Sequence, residues 1–495
     1  MSGNGECASS GIDGLDNILM GGFARRRLYL IEGAPGSGKT TLATQFLLDG
    51  ARRNEPVLYV TLSETGEEMQ SVAASHAWDT SRMQIRELAP ADSLDPDDQY
   101  TMFQPSEIEL AATTKLILAD VQEMNPTRVV FDSLSELRLI AGSALRYRRQ
   151  ILALKQFFAG RDCTVLMLDD MTATDHDLQV QSIAHGVILL EQLSPDYGME
   201  RRRLRVLKYR GVRFRGGYHD YIIEKGGLKV FPRLVAAESR KATVPRSLPS
   251  GIAQLDALLG GGLDEGSSTL LIGSAGTGKS TLASQFVVAA AERGQKSAMF
   301  VFDENPATLI NRCNCLNIKL ESCIASGDVA LTQIDPAELS PGEFAAKVQD
   351  AAEISGASLI VIDSLNGYLN AMPEERFLTA QLHEMLMYLG HRNVAVIVIG
   401  AHQGLIGTQM SMPIDASYLS DTVILLRFFE SAGEVRQAIS VVKKRNGSHE
   451  RTIREFDLKH GGIRIGEVLR DFRGVLTGVP IYEGKSRSGN PQDPT

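Results

Sequence analysis

Apolar residues along the chain fall into short dense runs, separated by stretches in which they recur at helical spacing. Leu28-Tyr29-Leu30-Ile31 predicts a short buried strand, and residues 40–51 predict a helix carrying Leu42, Phe46 and Leu47 on one face. Residues 57–62 and 128–131 read as the next strands, and residues 359–363 and 394–400 as buried strands further on. None of these runs approaches the length of a membrane span. The local order is strand, glycine-rich loop, helix, strand, helix, strand. That alternation predicts an α/β fold, with a mostly parallel sheet and helices on both faces.

The pattern occurs twice. Ser10-Gly11-Ile12-Asp13-Gly14-Leu15-Asp16 returns as Ser250-Gly251-Ile252-Ala253-Gln254-Leu255-Asp256, and Gly21-Gly22-Phe23 as Gly261-Gly262-Leu263. These pairs are 240 residues apart, as are Lys39 and Lys279 (279 − 39 = 240). Later landmarks drift: Asp132 and Asp363 are 231 apart (363 − 132), and Lys208 and Lys443 are 235 apart (443 − 208). So long a period means tandem domains that differ by a few loop lengths, not a solenoid. Residues 1–236 are assigned to the first domain and 237–247 to a polar linker. Residues 248–484 form the second domain and 485–495 a polar tail expected to be disordered.

Each copy carries a phosphate-binding loop. Gly33-Ala34-Pro35-Gly36-Ser37-Gly38-Lys39-Thr40 and Gly273-Ser274-Ala275-Gly276-Thr277-Gly278-Lys279-Ser280 both fit G-x-x-x-x-G-K-[ST], followed by Thr41 and Thr281. Glycines let the backbone amides turn inward toward phosphate oxygens, and the helix that follows adds the positive end of its dipole. Lys39 and Lys279 reach the β- and γ-phosphates, while Thr40 and Ser280 offer a hydroxyl to Mg²⁺. ATP with Mg²⁺ is the expected ligand of both.

A nucleotide-hydrolysing site needs more acids. Val129-Val130-Phe131-Asp132 and Ile360-Val361-Ile362-Asp363 are apolar strands ending in aspartate, as the second metal ligand requires. At the end of the strand after the phosphate-loop helix stand Ser63-Glu64 in copy one and Asp303-Glu304 in copy two. Glu64, Asp303 and Glu304 are the candidates that position or deprotonate the attacking group.

Composition narrows the class. The chain of 495 residues is 43% apolar and 22% charged, the balance of a folded protein rather than a disordered one. Its net charge of -9 disfavours a nonspecific nucleic-acid binder, although Arg201-Arg202-Arg203 and Arg146-Tyr147-Arg148-Arg149 are basic runs. The first ten residues lack a secretory pattern, and five cysteines do not make a disulfide framework. A cytoplasmic location without membrane attachment is expected.

Taken as a set, the SGI-x-x-LD opening, GG-[FL], the loops, the strand-end acids, FDSL and IDSL resemble the KaiC-like family of clock ATPases over roughly residues 10–480. The resemblance implies a RecA-type fold, a homohexamer of two stacked rings, and a KaiB-like or other signalling partner. Lys208-Tyr209-Arg210-Gly211 and Lys443-Lys444-Arg445 are similar to the family's K-x-R motif, so Lys208, Arg210, Lys443 and Arg445 would act in trans on a neighbour's ATP. Autophosphorylation in copy two is also implied. Ser417 falls on the serine of the family's Ser-Thr pair and Tyr418 on its threonine, while Met412 replaces a further family threonine. The resemblance thus points to Ser417, with Tyr418 as the alternative, in an ATPase and serine autokinase that serves signalling or timing. A nucleic-acid motor or recombinase and a nucleotide-gated scaffold are the competing readings.

Overall fold

The computed structural model describes residues 7–87, 115, 118–171, 178–195, 198–238, 246–370, 378–401, 418–431, 433–476 and 481–482. The chain divides into two compact units, Met1–Arg233 and Leu234–Thr495. Leu234 and Ala236 belong to the core of the second unit, where the main-chain carbonyl of Ala236 bonds His391 Nδ1 at 2.8 Å.

The first unit is built on a nine-stranded sheet in the order Gly227–Phe231, His219–Glu224, Arg201–Tyr209, Gly186–Leu193, Leu28–Gly33, Thr164–Asp169, Arg128–Asp132, Val57–Thr61 and Gln84–Glu87. Strands from Gly186–Leu193 to Gln84–Glu87 run parallel. The remaining three extend that edge antiparallel. The second unit repeats the order with Gly462–Val468, Arg454–Lys459, Glu434–Lys444, Thr422–Ser431, Ser268–Gly273, Ala395–Ala401, Ala357–Asp363, Lys296–Val301 and Val329–Gln333. These are tandem RecA-like α/β domains. Their antiparallel extensions carry the K-x-R residues, and strand–helix alternation gives no hint of them.

Alternation along the central strand explains the two-sided core. Tyr29 and Ile31 point into one apolar cluster with Phe46 and Leu47, and Leu28 and Leu30 into the other with Phe131 and Leu154. A strand buried on both faces must be apolar throughout, which is why Leu28–Gly33 reads as a continuous run. The helix Lys39–Arg52 turns Leu42, Ala43, Phe46 and Leu47 onto the sheet. Lys279–Glu292 does the same in the second unit with Leu282, Ala283, Phe286 and Val287.

The repeated SGI-x-x-LD opening is a hydrogen-bonded turn. Asp16 accepts from the Ser10 amide at 2.7 Å and from Ser9 Oγ at 2.6 Å. Asp256 accepts from both the amide and the hydroxyl of Ser250, at 2.6 and 2.7 Å. The serine and the aspartate recur together because each completes the other's bonding.

Arg128 distinguishes the first unit. It is 0% exposed, yet it pairs with Glu55 at 2.6 Å and Asp49 at 3.0 Å and donates to the carbonyls of Ser9 and Phe46. Leu359 holds the equivalent strand position in the second unit. Removing one partner of a buried ion pair strands the other charge, so Arg128→Ala should cost the first unit about 3–5 kcal/mol. Trp78, the single tryptophan, lies in that unit, and its fluorescence in denaturant titrations reads the loss directly.

Candidate active sites

The phosphate loop follows the central strand in each unit. Gly36 and Gly38 take φ of +80° and +92°, and Gly276 and Gly278 +80° and +87°, a region costly for residues with a Cβ. At Gly33 the constraint is space, since a Cβ would lie 2.5 Å from Ser37 Oγ and 2.6 Å from the Leu190 carbonyl. Gly38 and Gly278 lead straight into the helices without a side-chain cap. The free amides at each helix start therefore remain for an anion. In the first unit the Tyr221 hydroxyl donates to the Ser37 carbonyl at 2.5 Å and anchors the loop from the antiparallel extension. Ser37, Thr41, Thr277 and Thr281 are buried beside the loops.

The two loop lysines share one pose in different surroundings. Lys39 Nζ donates to the carbonyls of Gly33 and Ala34 at 2.8 and 3.0 Å, and Lys279 Nζ to those of Gly273 and Ser274, both at 2.8 Å. Lys39 also meets Asp170 at 2.8 Å. Near it lies a polar network: Asp169 binds Arg138 at 2.5 Å, and Glu32 accepts from Gln181 at 2.8 Å. Burial drives the Glu32 carboxyl up to about 7. In the second unit Ile272 and Gly400 stand where the first has Glu32 and Asp169. Burial there lowers Lys279 to about 8, against the opposing pull of Asp363.

Beside each lysine a hydroxyl meets the strand-end aspartate. Thr40 Oγ1 and the Tyr59 hydroxyl donate to Asp132 Oδ2 at 2.8 and 2.5 Å. Burial raises the Asp132 carboxyl, and these two bonds partly offset it. Ser280 lies beside Asp363, which burial raises to about 6, while Asp363 Oδ2 is buried without a hydrogen-bond partner. A hard oxygen pair with one orphaned carboxylate oxygen fits Mg²⁺, which binds few protein oxygens and keeps the rest of its shell for water and phosphate.

The acids after the neighbouring strand differ between the units. Burial and the charges of Asp132, Glu68 and Asp170 raise Glu64 above the ordinary carboxylate range, and its Oε2 is buried and unpartnered. Glu304 is instead gripped by Arg312 through two bonds of 2.6 and 2.8 Å. Val72 holds the equivalent helix position in the first unit. Asp303 Oδ2 accepts from Ser364 Oγ at 2.5 Å.

The K-x-R cations lie at the other end of the sheet. Lys208 and Tyr209 pair with Val187 and Gly186, which flank Leu30 and Tyr29. The phosphate loop leaves the same central strand at Gly33, roughly 10–13 Å further along at about 3.3 Å per residue. Lys208 donates to the Gln181 carbonyl at 2.6 Å and Arg210 to that of Ser182 at 2.7 Å. Arg210 lines a cavity of about 370 Å³ with Arg26, Arg27, Lys155 and His185. In the second unit Lys443 donates to the Ser420 carbonyl at 2.7 Å, and Arg445 binds Asp421 at 3.1 Å and the Tyr418 carbonyl at 3.0 Å. Tyr418 is 55% exposed and lines a cavity of about 660 Å³ with Arg445. Ser417 and Met412 lie outside the described residues. Of the basic runs, Arg202 and Arg203 are paired with Glu200 and Glu191.

Comparison with known proteins identifies the family. The family described as "ATPase: KaiC" matches residues 8–235 and again 248–470. The chain belongs to the KaiC ATPase family. It is 24% identical over 486 residues to the circadian clock protein KaiC3 of Synechocystis sp., covering 97% of this chain and 96% of that protein. It is 26% identical over 481 residues to the circadian clock oscillator proteins KaiC of Picosynechococcus sp. and Synechococcus elongatus, each covering 95% of this chain and 91% of the relative. Among the described residues no helix is long and apolar enough to cross a membrane.

Membership of the KaiC family carries ATPase activity and ATP binding with it. Several site residues escape a motif search: Tyr59, Arg138, Asp170, Tyr221 and Arg312 belong to no repeated pattern. Comparing the two copies position by position is the signal that finds Asp170 and Arg312, since the other copy has Ala401 and Val72 there.

Lys39→Ala and Lys279→Ala should each halve the nucleotide bound per chain, read by equilibrium dialysis with labelled ATP. The protonated form of Asp363 cannot bind a metal. Mg·ATP affinity of the second site should therefore hold above pH 6 and weaken as the pH falls through about 6. Titration of the Lys39→Ala variant at a series of pH values isolates that site.

Proposed function

We propose that this KaiC-family chain is a homohexameric ATPase of two stacked rings that hydrolyses ATP in both units, transfers phosphate to Ser417 in the second, and serves timing or signalling by the resulting change of shape. The placement of the K-x-R cations carries this reading. A cation near the start of the central strand cannot serve a phosphate loop at its far end, so Lys208, Arg210, Lys443 and Arg445 can reach a triphosphate only in a neighbouring chain. Such trans cations stabilise the charge that spreads over the γ-phosphate oxygens in the transition state.

Gly33, Gly36, Ser37, Gly38, Lys39 and Thr41, with Gly273, Gly276, Thr277, Gly278, Lys279 and Thr281, cradle the phosphates. Thr40 with Asp132 and Ser280 with Asp363 would hold Mg²⁺. The bound ion would offset charge on the β- and γ-phosphate oxygens. Glu64 accepts a proton from the attacking water in the first unit, helped by its raised affinity for protons. Asp303 or Glu304 takes the hydroxyl proton of the acceptor in the second. The Tyr418 carbonyl accepts from Arg445, which puts the residue after Ser417 beside a cation assigned to a neighbour's nucleotide and supports this reading. A KaiB-like or other signalling protein is the expected partner, and the cytoplasm the expected location.

Incubation with γ-labelled ATP and phosphopeptide mapping tests the kinase half. Label should appear within residues 411–422 and vanish in Ser417→Ala. Label retained there would move the acceptor to Tyr418, and none at all would remove autophosphorylation. Particle mass with and without ATP tests the ring. Hydrolysis by the first unit, isolated by Lys279→Ala, should fall as the pH drops through a value above the ordinary carboxylate range, because Glu64 must be ionised to act as base. Glu64→Gln should lower that rate about 100-fold or more. Turnover stimulated by added DNA would favour the nucleic-acid reading instead.

A further inference from the structure

The two copies reach the serine after the strand-end aspartate from opposite sides. In the second, Ser364 is bonded to Asp303, which follows the strand Lys296–Val301. The first copy has Ser63 at that position and no carboxylate to offer. Its serine, Ser133, lies close to Asp170 instead, and Asp170 bonds Ser135 two residues further on. Asp170 follows the strand Thr164–Asp169, which lies between the phosphate-loop strand and the strand ending in Asp132. The carboxylate thus arrives from the inner flank of that strand rather than from the outer one.

Asp170 is tightly placed. Its Oδ1 is 2.8 Å from Lys39 Nζ, its Oδ2 accepts from Ser135 Oγ at 3.1 Å, and its own amide donates to Ser135 Oγ at 3.3 Å. In the second copy the same place on the sheet belongs to Ala401, whose amide and carbonyl bond the Asn366 side chain at 2.8 and 3.1 Å. The anchoring of the strand end is kept, and the acid is not. Two positions have been exchanged between the copies: Ser63 with Asp170 in one, Asp303 with Ala401 in the other.

We propose that Asp170 is the second carboxylate of the first active site, supplying from the inner strand the acid that Ser63 lacks and orienting the attacking water together with Glu64. This rests on the first unit being a hydrolase. Lys39 is the side chain that reaches the γ-phosphate, so a carboxylate 2.8 Å from its ammonium stands beside the position of that phosphate. When the triphosphate arrives Lys39 turns to it, and Asp170 keeps Ser133 and Ser135. Burial pushes the Asp170 carboxyl up, but Lys39, Ser133 and Ser135 more than offset this and leave it below its usual range. It is therefore an acceptor only, suited to holding a water hydrogen. In the step itself the water oxygen bonds to the γ-phosphorus. The bond from that phosphorus to the β–γ bridging oxygen breaks, and its electron pair stays with ADP. One water proton passes to Glu64 while Asp170 holds the other. The same negative charge opposes the ground-state γ-phosphate, so it raises the rate at some cost in ATP affinity.

The test uses the full chain with the second site silenced by Lys279→Ala. Asp170→Asn keeps the shape and removes the charge. Its kcat should fall about ten- to a hundred-fold, with KM for ATP unchanged or lower. Asp170→Glu should retain part of the rate, and Ser63→Asp added to Asp170→Asn should recover part of it. Full or increased turnover in Asp170→Asn would overturn the proposal and leave Asp170 as a mere restraint on Lys39. A loss of rate matched by a rise in KM, with no recovery from Ser63→Asp, would also overturn it. Absence of hydrolysis in the Lys279→Ala parent, with nucleotide still bound, would sink the hydrolase reading of the first unit and this proposal with it.

Discussion

Lys39 and Lys279 are each buried at the end of a strand that is itself buried on both faces, and each rests on two carbonyl oxygens of its own loop. A buried ammonium without a full counter-charge is costly, and the cost is lowered when an anionic phosphate takes the place of those carbonyls. That demand stands in full at Lys279 and is partly met at Lys39 by Asp170, and it suits both loops to a phosphate. The apolar strand fixes where the loop begins, the left-handed glycines turn its amides inward, and the helix behind it adds its positive end. Everything else in either unit is arranged around the position this sets for the γ-phosphate.

The copies meet the same demand differently. In the first, Asp170 offers Lys39 a carboxylate, and Glu32, Asp169, Arg138 and Gln181 form a polar network close by. In the second, burial lowers the proton affinity of Lys279, and the charge of Asp363 opposes this. The acids diverge in parallel. Glu64 is half-buried near other carboxylates and holds its proton more tightly, whereas Glu304 is tied to Arg312. A duplicated frame thus carries two electrostatic settings.

Much of this is legible from the chain. Strand runs, the helix over the loop and the pairing of the two copies follow from apolar spacing and a fixed offset, because each depends on neighbours within one turn or one strand. The predicted helix over residues 40–51 is Lys39–Arg52, and the predicted strand over 57–62 is Val57–Thr61. The antiparallel pairing of the extension was not legible. Its strands read as mixed polar and apolar, since Arg201–Tyr209 is partly exposed and its charges are covered by Glu191, Glu200 and Tyr218.

By itself the sequence determined the duplication, the phosphate loops and the aspartates that end Arg128–Asp132 and Ala357–Asp363, because these are local patterns whose chemistry needs residues in a fixed order. Tertiary structure alone decided which lone side chains share a site. Asp170 meets Lys39 and Arg312 meets Glu304 through sheet order and helix packing, and neither pairing leaves a spacing rule behind. It also decided that the K-x-R cations lie away from their own loop, since the direction of a strand, and so the end of the sheet a residue occupies, is fixed only once the strands have paired.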